Sequence, residues 1–232
     1  MKKRSVAGLC FVAWCGSVAA QAPAVNSAVN SNYASIRITS ARQDFRNMVF
    51  ENPRISGRAD GPTLDRKTTG SVAVGTVLNE GWRGEIEYAL PQKGVYVSHW
   101  APFQTFDQRV ETTAYRLMAN GYKDFDLNND FALNLTAGLG WANVKTRGYQ
   151  SAVAGAAATN PFAQNTKNNW AWSLGGGIDY KLNKTHTLGL GYRLVDMGPA
   201  ESGLDQFNNP ADERYKGRLR SEDVSLNWRI AY

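Results

Sequence analysis

Between residues 170 and 194 the side chains alternate with a period of two. Trp170, Trp172, Leu174, Gly176, Ile178, Tyr180 and Leu182 share one parity, and Ala171, Ser173, Gly175, Gly177, Asp179 and Lys181 share the other. Asn183-Lys184 interrupts the pattern, after which Leu188, Leu190, Tyr192 and Leu194 stand against Thr187, Gly189, Gly191 and Arg193. Only extended backbone sends every second residue to one face, so the stretch predicts two strands joined by a tight Asn-Lys turn. One face needs an apolar medium, while the other is small, glycine-rich and charged. A barrel strand with lipid outside and a hydrated interior has this character. A half-buried hairpin of a soluble sandwich has it too, and this stretch leaves both open.

The beginning of the chain carries an export address. Lys2, Lys3 and Arg4 precede an apolar run over 6–18, and Val18-Ala19-Ala20 offers the small residues of a cleavage site. Residues 1–20 therefore predict a signal peptide, with a mature start at Gln21. The run is too short for a membrane-spanning helix. Cys10 and Cys15 both lie inside it, so the mature chain has no disulfide, thiolate nucleophile or cysteine metal site. Leu9 and Trp14 stand where a lipid anchor needs a small residue before the cysteine. Of the 26 basic residues, Lys2, Lys3 and Arg4 leave with the leader, so 23 face 20 acidic ones. That modest surplus on an exported chain argues against nucleic acid as a partner. The mean hydropathy is −0.42, which a membrane barrel tolerates because only alternate residues meet lipid.

Residues 21–32 read as a flexible, alanine-rich lead-in, and residues 33–232 as one barrel domain. Strands are predicted over 33–42, 68–79, 82–90, 108–122, 131–141, 170–182, 188–194 and 219–232. Charged or Asn-Pro-containing stretches over 44–67, 91–107, 147–167 and 196–216 read as loops. Short turns fall at Asn79-Glu80-Gly81, at 124–130 and at Asn183-Lys184. The tally is eight strands, the smallest even number with which outer-membrane barrels close. Connections are long after odd strands and short after even ones, the rhythm of long outer loops and short periplasmic turns with both termini inside. A soluble sandwich has no reason to keep it.

Met118-Ala119-Asn120-Gly121-Tyr122-Lys123-Asp124-Phe125 resembles a strand signature of the opacity-type, outer-membrane-protein-A-like small barrels. Leu135-Thr136-Ala137-Gly138-Leu139-Gly140-Trp141 is similar to the glycine-rich strand that follows it there. The segment from Gly175-Gly176-Gly177-Ile178-Asp179-Tyr180-Lys181-Leu182 to Leu188-Gly189-Leu190-Gly191-Tyr192-Arg193 resembles the last hairpin before the closing strand. The resemblance implies an all-β, eight-stranded, antiparallel up-and-down transmembrane barrel in the outer membrane of a Gram-negative cell. It also implies a non-enzymatic, structural or adhesin-like surface role, with a narrow porin-like channel as the alternative. Trp228, Ile230 and Tyr232 look like the terminal signal read by the barrel-assembly machinery, although the family usually ends in phenylalanine.

The candidate chemistry is mostly electrostatic. Arg37, Arg83, Glu85, Glu87, Arg116, Asp179, Arg193, Asp223 and Arg229 all fall on the interior parity and predict a cross-strand charge network filling the lumen. Eight strands enclose only enough room for side chains. Tyr33, Trp82, Tyr88, Trp100, Tyr115, Trp141, Trp170, Tyr180, Tyr192 and Trp228 cluster near strand ends as candidate aromatic girdles. The two histidines, His99 in a predicted loop and His186 beside a turn, lack the partners of a catalytic pair: Ser98 points away from its neighbour, and His186 is flanked by threonines. No catalytic, cofactor-binding or metal-ligating residue is expected. Expected partners are outer-membrane lipid and lipopolysaccharide, the assembly machinery, and a host or surface ligand held by the four long loops.

Overall fold

In the computed structural model the described residues are 32–51, 53, 56–58, 66–79, 81–99, 107–151, 159–207 and 212–232. The expected signal peptide and most of the lead-in lie outside them. Eight long strands account for most of the described chain: β1 Asn32–Glu51, β2 Lys67–Val77, β3 Trp82–His99, β4 Asp107–Asp126, β5 Phe131–Gln150, β6 Asn165–Lys181, β7 His186–Glu201 and β8 Arg214–Ala231. Each pairs antiparallel with the next, and β8 returns to pair with β1 from Tyr33↔Ala231 to Glu51↔Arg214. The sheet therefore closes on itself, with two short segments, Ser56–Arg58 and Asn160–Pro161, added to β1 and β5. Closure decides between the two readings that the alternation left open, because a sandwich does not join its first strand to its last.

The outward parity is apolar over a continuous band. Ile38, Val74, Leu135, Leu139, Leu174, Leu190 and Leu226 are each more than half exposed, which is stable only against hydrocarbon. Trp82, Tyr115, Trp141, Trp170, Tyr180 and Trp228 stand towards the ends of this band, while Tyr88 and Tyr192 lie within it between exposed aliphatic neighbours, and Trp141 packs on Trp170 with ring centroids 4.7 Å apart. Tyr33 leaves the expected girdle. It is buried in the lumen and lies across Gly75, where an added Cβ would meet its ring at 2.4 Å. Trp100 lies outside the described residues.

The strands run farther than the expected loops allow. A strand crosses a membrane in about 9–11 residues, whereas β1, β4 and β5 have 20 each. Residues 44–51, 91–99, 147–150, 165–167, 196–201 and 214–216, all expected in loops, are strand; His99 thus ends β3. Two features hid them. Apart from Val95 and Val97, their outward residues are mostly polar, because the wall here stands clear of lipid. Three bulges also break the raw alternation. In β1, Asn47 adopts φ 52° and the register slips between Arg46 and Val49, so Phe45 and Met48 both face inward. In β3, Leu90 and Pro91 are both exposed at a slip between Ala89 and Gln92, where a proline has no ladder hydrogen to lose. In β7, Gly198 at φ 82° lies opposite the slip between Arg218 and Arg220. The extended wall forms a collar on the side of the long connections.

At the other end the connections are short, as expected. The β6–β7 turn spans 182–185 rather than Asn-Lys alone, and Asn183 Oδ1 accepts the backbone N–H of Thr185 and of His186, each at 2.8 Å. Asn128 does the same for Asp130 and Phe131 in the β4–β5 turn. Among the described residues no helix is long and apolar enough to cross a membrane; the crossing is made by strands.

Candidate functional site: lumen and collar

The lumen is filled in two storeys of different chemistry. Inside the lipid band the inward parity of β1, β3, β4, β6, β7 and β8 brings together all nine of the charged residues expected there. Arg37 Nη2 donates to both Glu85 oxygens at 2.7 Å and to the Tyr122 hydroxyl at 3.1 Å, while its Nη1 lies 3.2 Å from Glu87. Arg193 reaches Glu87 from β7 at 2.6 and 3.0 Å. Arg83 binds Asp124 at 2.8 Å and Asp179 at 3.2 Å, and Arg229 approaches Asp179 at 3.3 Å. Arg116 donates to Asp223, which also accepts from Ser221.

With Asp124 included, five arginines face five carboxylates, so the buried cluster is neutral. Neutrality matters because an unmatched charge in so dry a site is strongly destabilising. Asp124 opens a polar stretch that predicts a turn, yet β4 runs on to Asp126; extending the parity of Arg116, Asn120 and Tyr122 by one step brings Asp124 inward. Asn120 donates to Glu87 at 2.8 Å and to Glu85 at 3.3 Å. The Arg83 guanidinium stacks 3.9 Å from the Tyr122 ring centroid, and Tyr33 lies under both Arg83 and Arg229. These uncharged partners carried no separate signal. A void of about 40 Å³ between Arg37, Arg83, Tyr122, Asp179 and Arg193 has room for about one water.

Above this storey, inside the collar, the lumen turns apolar. Phe45, Met48, Phe50, Tyr96, Val110, Met197, Tyr215 and Leu219 are buried in one cluster with Phe162 from the β5–β6 connection. Tyr215 lies 4.6 Å from Phe162 and 5.5 Å from Phe50, centroid to centroid. Phe45 covers Gly217, where an added Cβ would meet its ring at 2.2 Å. This is a packed core, and its residues fall mostly in stretches expected to be loops.

The outside of the collar is charged. Asp196 binds Arg218 and Arg220 at 2.8 Å each, Glu201 binds Lys167 at 2.6 Å, and Glu51 binds Arg214 and Lys216 at 3.1 and 2.5 Å. On β4, Glu111 takes Arg109 and Arg147 at 2.7 Å each. Partial burial opposes its ionisation, but these guanidiniums, outside the lipid band, hold its carboxyl below the usual carboxylate range. His186 packs against Trp228, and its Nδ1 accepts a hydrogen bond from the Trp228 Nε1–H at 3.3 Å; the side chain of His99 lies outside what is described. Among the described residues no group of acids, histidines and cysteines is arranged to hold a metal ion. Trp228 faces outward on the closing strand, and the Tyr232 N–H donates to Asn32 at 2.9 Å.

A closed antiparallel barrel with an apolar outer band and a filled interior is the architecture of an integral outer-membrane protein. The chain belongs to the outer membrane protein beta-barrel domain family, whose model matches residues 9–216. It is 30% identical to outer membrane protein PagN of Salmonella typhimurium over 124 residues, 53% of this chain and 50% of the relative. The chain thus spans about half the length of the curated relative it matches. Among solved structures it resembles the outer membrane protein OprG of Pseudomonas aeruginosa, with a TM-score of 0.55 at 11% identity over 87% of this chain and 97% of that one. It also resembles Neisserial surface protein A, with a TM-score of 0.50 at 15% identity over the same shares. At these identities the likeness is one of fold. The protein resides in the outer membrane, in contact with its lipid.

Proposed function

We propose that this barrel is a non-enzymatic surface-interaction protein: a sealed rod that carries a rigid charged collar, and the connections above it, out of the membrane. The observation that carries this reading is the double occlusion of the lumen. Ion pairs bridge its diameter within the lipid band, and an aromatic core fills it within the collar. A wall built to conduct has no use for either. The narrow-channel alternative would need a path past both storeys, and the void between the charges is about 40 Å³. Export by a signal peptide over 1–20 and insertion through a terminal signal at Trp228, Ile230 and Tyr232 complete the reading. The family relationship to a Salmonella outer membrane protein supports the cellular address, and the collar's outward charge supports recognition of molecules outside the cell.

Two measurements test it. In planar bilayers the refolded protein gives near-zero conductance; stable, large single-channel steps overturn the sealed-rod reading. Cells that display the protein retain more of a surface ligand, such as a host-cell layer or a polyanionic matrix, than cells lacking it. Equal retention removes the surface-interaction role.

A further inference from the structure

Around most of the collar the outward cations are matched by carboxylates. Asp196 serves Arg218 and Arg220, Glu51 serves Arg214 and Lys216, and Glu201 serves Lys167. The β3–β5 face departs from this. Lys93, Thr113 and Lys145 form one row across the three strands, and Val95, Glu111 and Arg147 form the next. Glu111 is committed to Arg109 and Arg147. Both lysines are exposed, and among the described residues neither has a carboxylate partner. One acid therefore stands among four cations in a cleft of about 440 Å³.

The height of the row selects the ligand. Thr113 and Lys145 lie one same-face step above the paired Tyr115 and Asn143, and Trp141 is one step lower again. A two-residue step along a tilted strand rises about 5 Å, which puts the ammonium groups just outside the aromatic rim, level with lipid headgroups. We infer that Lys93, Thr113 and Lys145 bind the phosphate of a phosphorylated glycolipid in the outer leaflet, with Arg109 and Arg147 behind them. Two flexible ammonium groups and a hydroxyl suit a phosphate monoester, which carries close to two charges and three acceptor oxygens. The exposed Tyr115 and Trp141 below offer the apolar flank that such a lipid's chains require. The site rests on the membrane placement of the barrel and is independent of the surface-interaction reading.

The test uses the full barrel in phosphatidylcholine nanodiscs doped with bisphosphorylated lipid A or with its dephosphorylated form. Retained lipid is counted by native mass spectrometry, and folding is checked by heat-modifiable gel mobility. Wild type binds the phosphorylated form preferentially. K93Q/K145Q lowers its affinity roughly 30-fold, at about fivefold per lysine near an anionic surface, and leaves the dephosphorylated form unchanged. K167Q, whose cation is already matched, behaves as wild type. Equal binding of the two lipids, or an unchanged double variant, overturns the inference. Inorganic phosphate in undoped nanodiscs is the control for a free anion: if it shifts the two lysine ammonium resonances as strongly as the lipid does, the lipid assignment falls. It falls equally if a soluble sulfated oligosaccharide outcompetes the lipid at the same lysines.

Discussion

Arg193 of β7 clasps Glu87 of β3 from the opposite wall of the barrel, Nη1 to Oε2 at 2.6 Å and Nη2 to Oε1 at 3.0 Å. The two strands are four apart in a ring of eight, so this bidentate pair spans the diameter. Arg116 and Asp223, on β4 and β8, repeat the relationship. Both pairs tie together walls that share no backbone hydrogen bonds.

Removing one member of such a pair strands the other. Glu87→Gln leaves Arg193 and Arg37 without a shared counter-charge, and the expected cost is about 3–5 kcal/mol. Urea unfolding of the refolded barrel in detergent reads this as a lower midpoint. The double variant E87Q/R193M recovers part of the loss, since neither charge remains unmatched. A single variant as stable as wild type would mean that the pair contributes nothing.

The collar's core is separable from the charged storey. Tyr215 is fully buried between Phe50 and Phe162, and Tyr215→Ala removes a side chain whose loss costs about 3–5 kcal/mol. The expected phenotype is local: protease cleavage in the collar on intact cells, with heat-modifiable mobility of the lipid-embedded part retained. Loss of both together would show that the two storeys fold as one unit.

The β7 bulge depends on one backbone conformation. Gly198 sits at φ 82°, and an added Cβ would meet Asn169 Cβ at 2.8 Å. Gly198→Ala is therefore expected to cost about 1–3 kcal/mol. Asn169 donates to the carbonyls of Met197 and Pro199 at 2.9 and 2.7 Å, so N169A loosens the same bulge. The two variants combined should lose less than their sum, as a double-mutant cycle by denaturant unfolding will report.

Substitutions on the outer face separate the lipid band from the collar. Leu135, in the middle of the band, tolerates arginine at a cost of about 2–4 kcal/mol. Val97, outward in the collar, takes the same residue within about 0.5 kcal/mol. Matching costs at the two sites would contradict the assignment of where lipid ends.

Strand polarity was legible wherever one parity met hydrocarbon, because lipid imposes a sharp alternation. Leu133 to Trp141 and Trp170 to Tyr180 announce themselves for that reason. The alternation fades at Asn143 on β5 and at Arg42 on β1, where water lies outside, so that outward residues turn polar while the inward parity mixes Gln43 and Thr146 with Phe45 and Val144. There the eye ends the strand, although the hydrogen-bonded ladder continues to Gln150 and Glu51. Bulges at Asn47, Pro91 and Gly198 deepened the error by shifting the parity within a single strand.

The residue order by itself determined which side chains face lipid and which face inward, since that follows from a local period of two. It also determined the eight-strand hairpin order and the presence of nine interior charges, through parity and connection length. Which charges meet across the lumen, Arg193 with Glu87 and Arg116 with Asp223, and the second, apolar storey were decided only by closure of the ring. Closure fixes the stagger of strands distant in sequence, and stagger sets the height at which β3 faces β7.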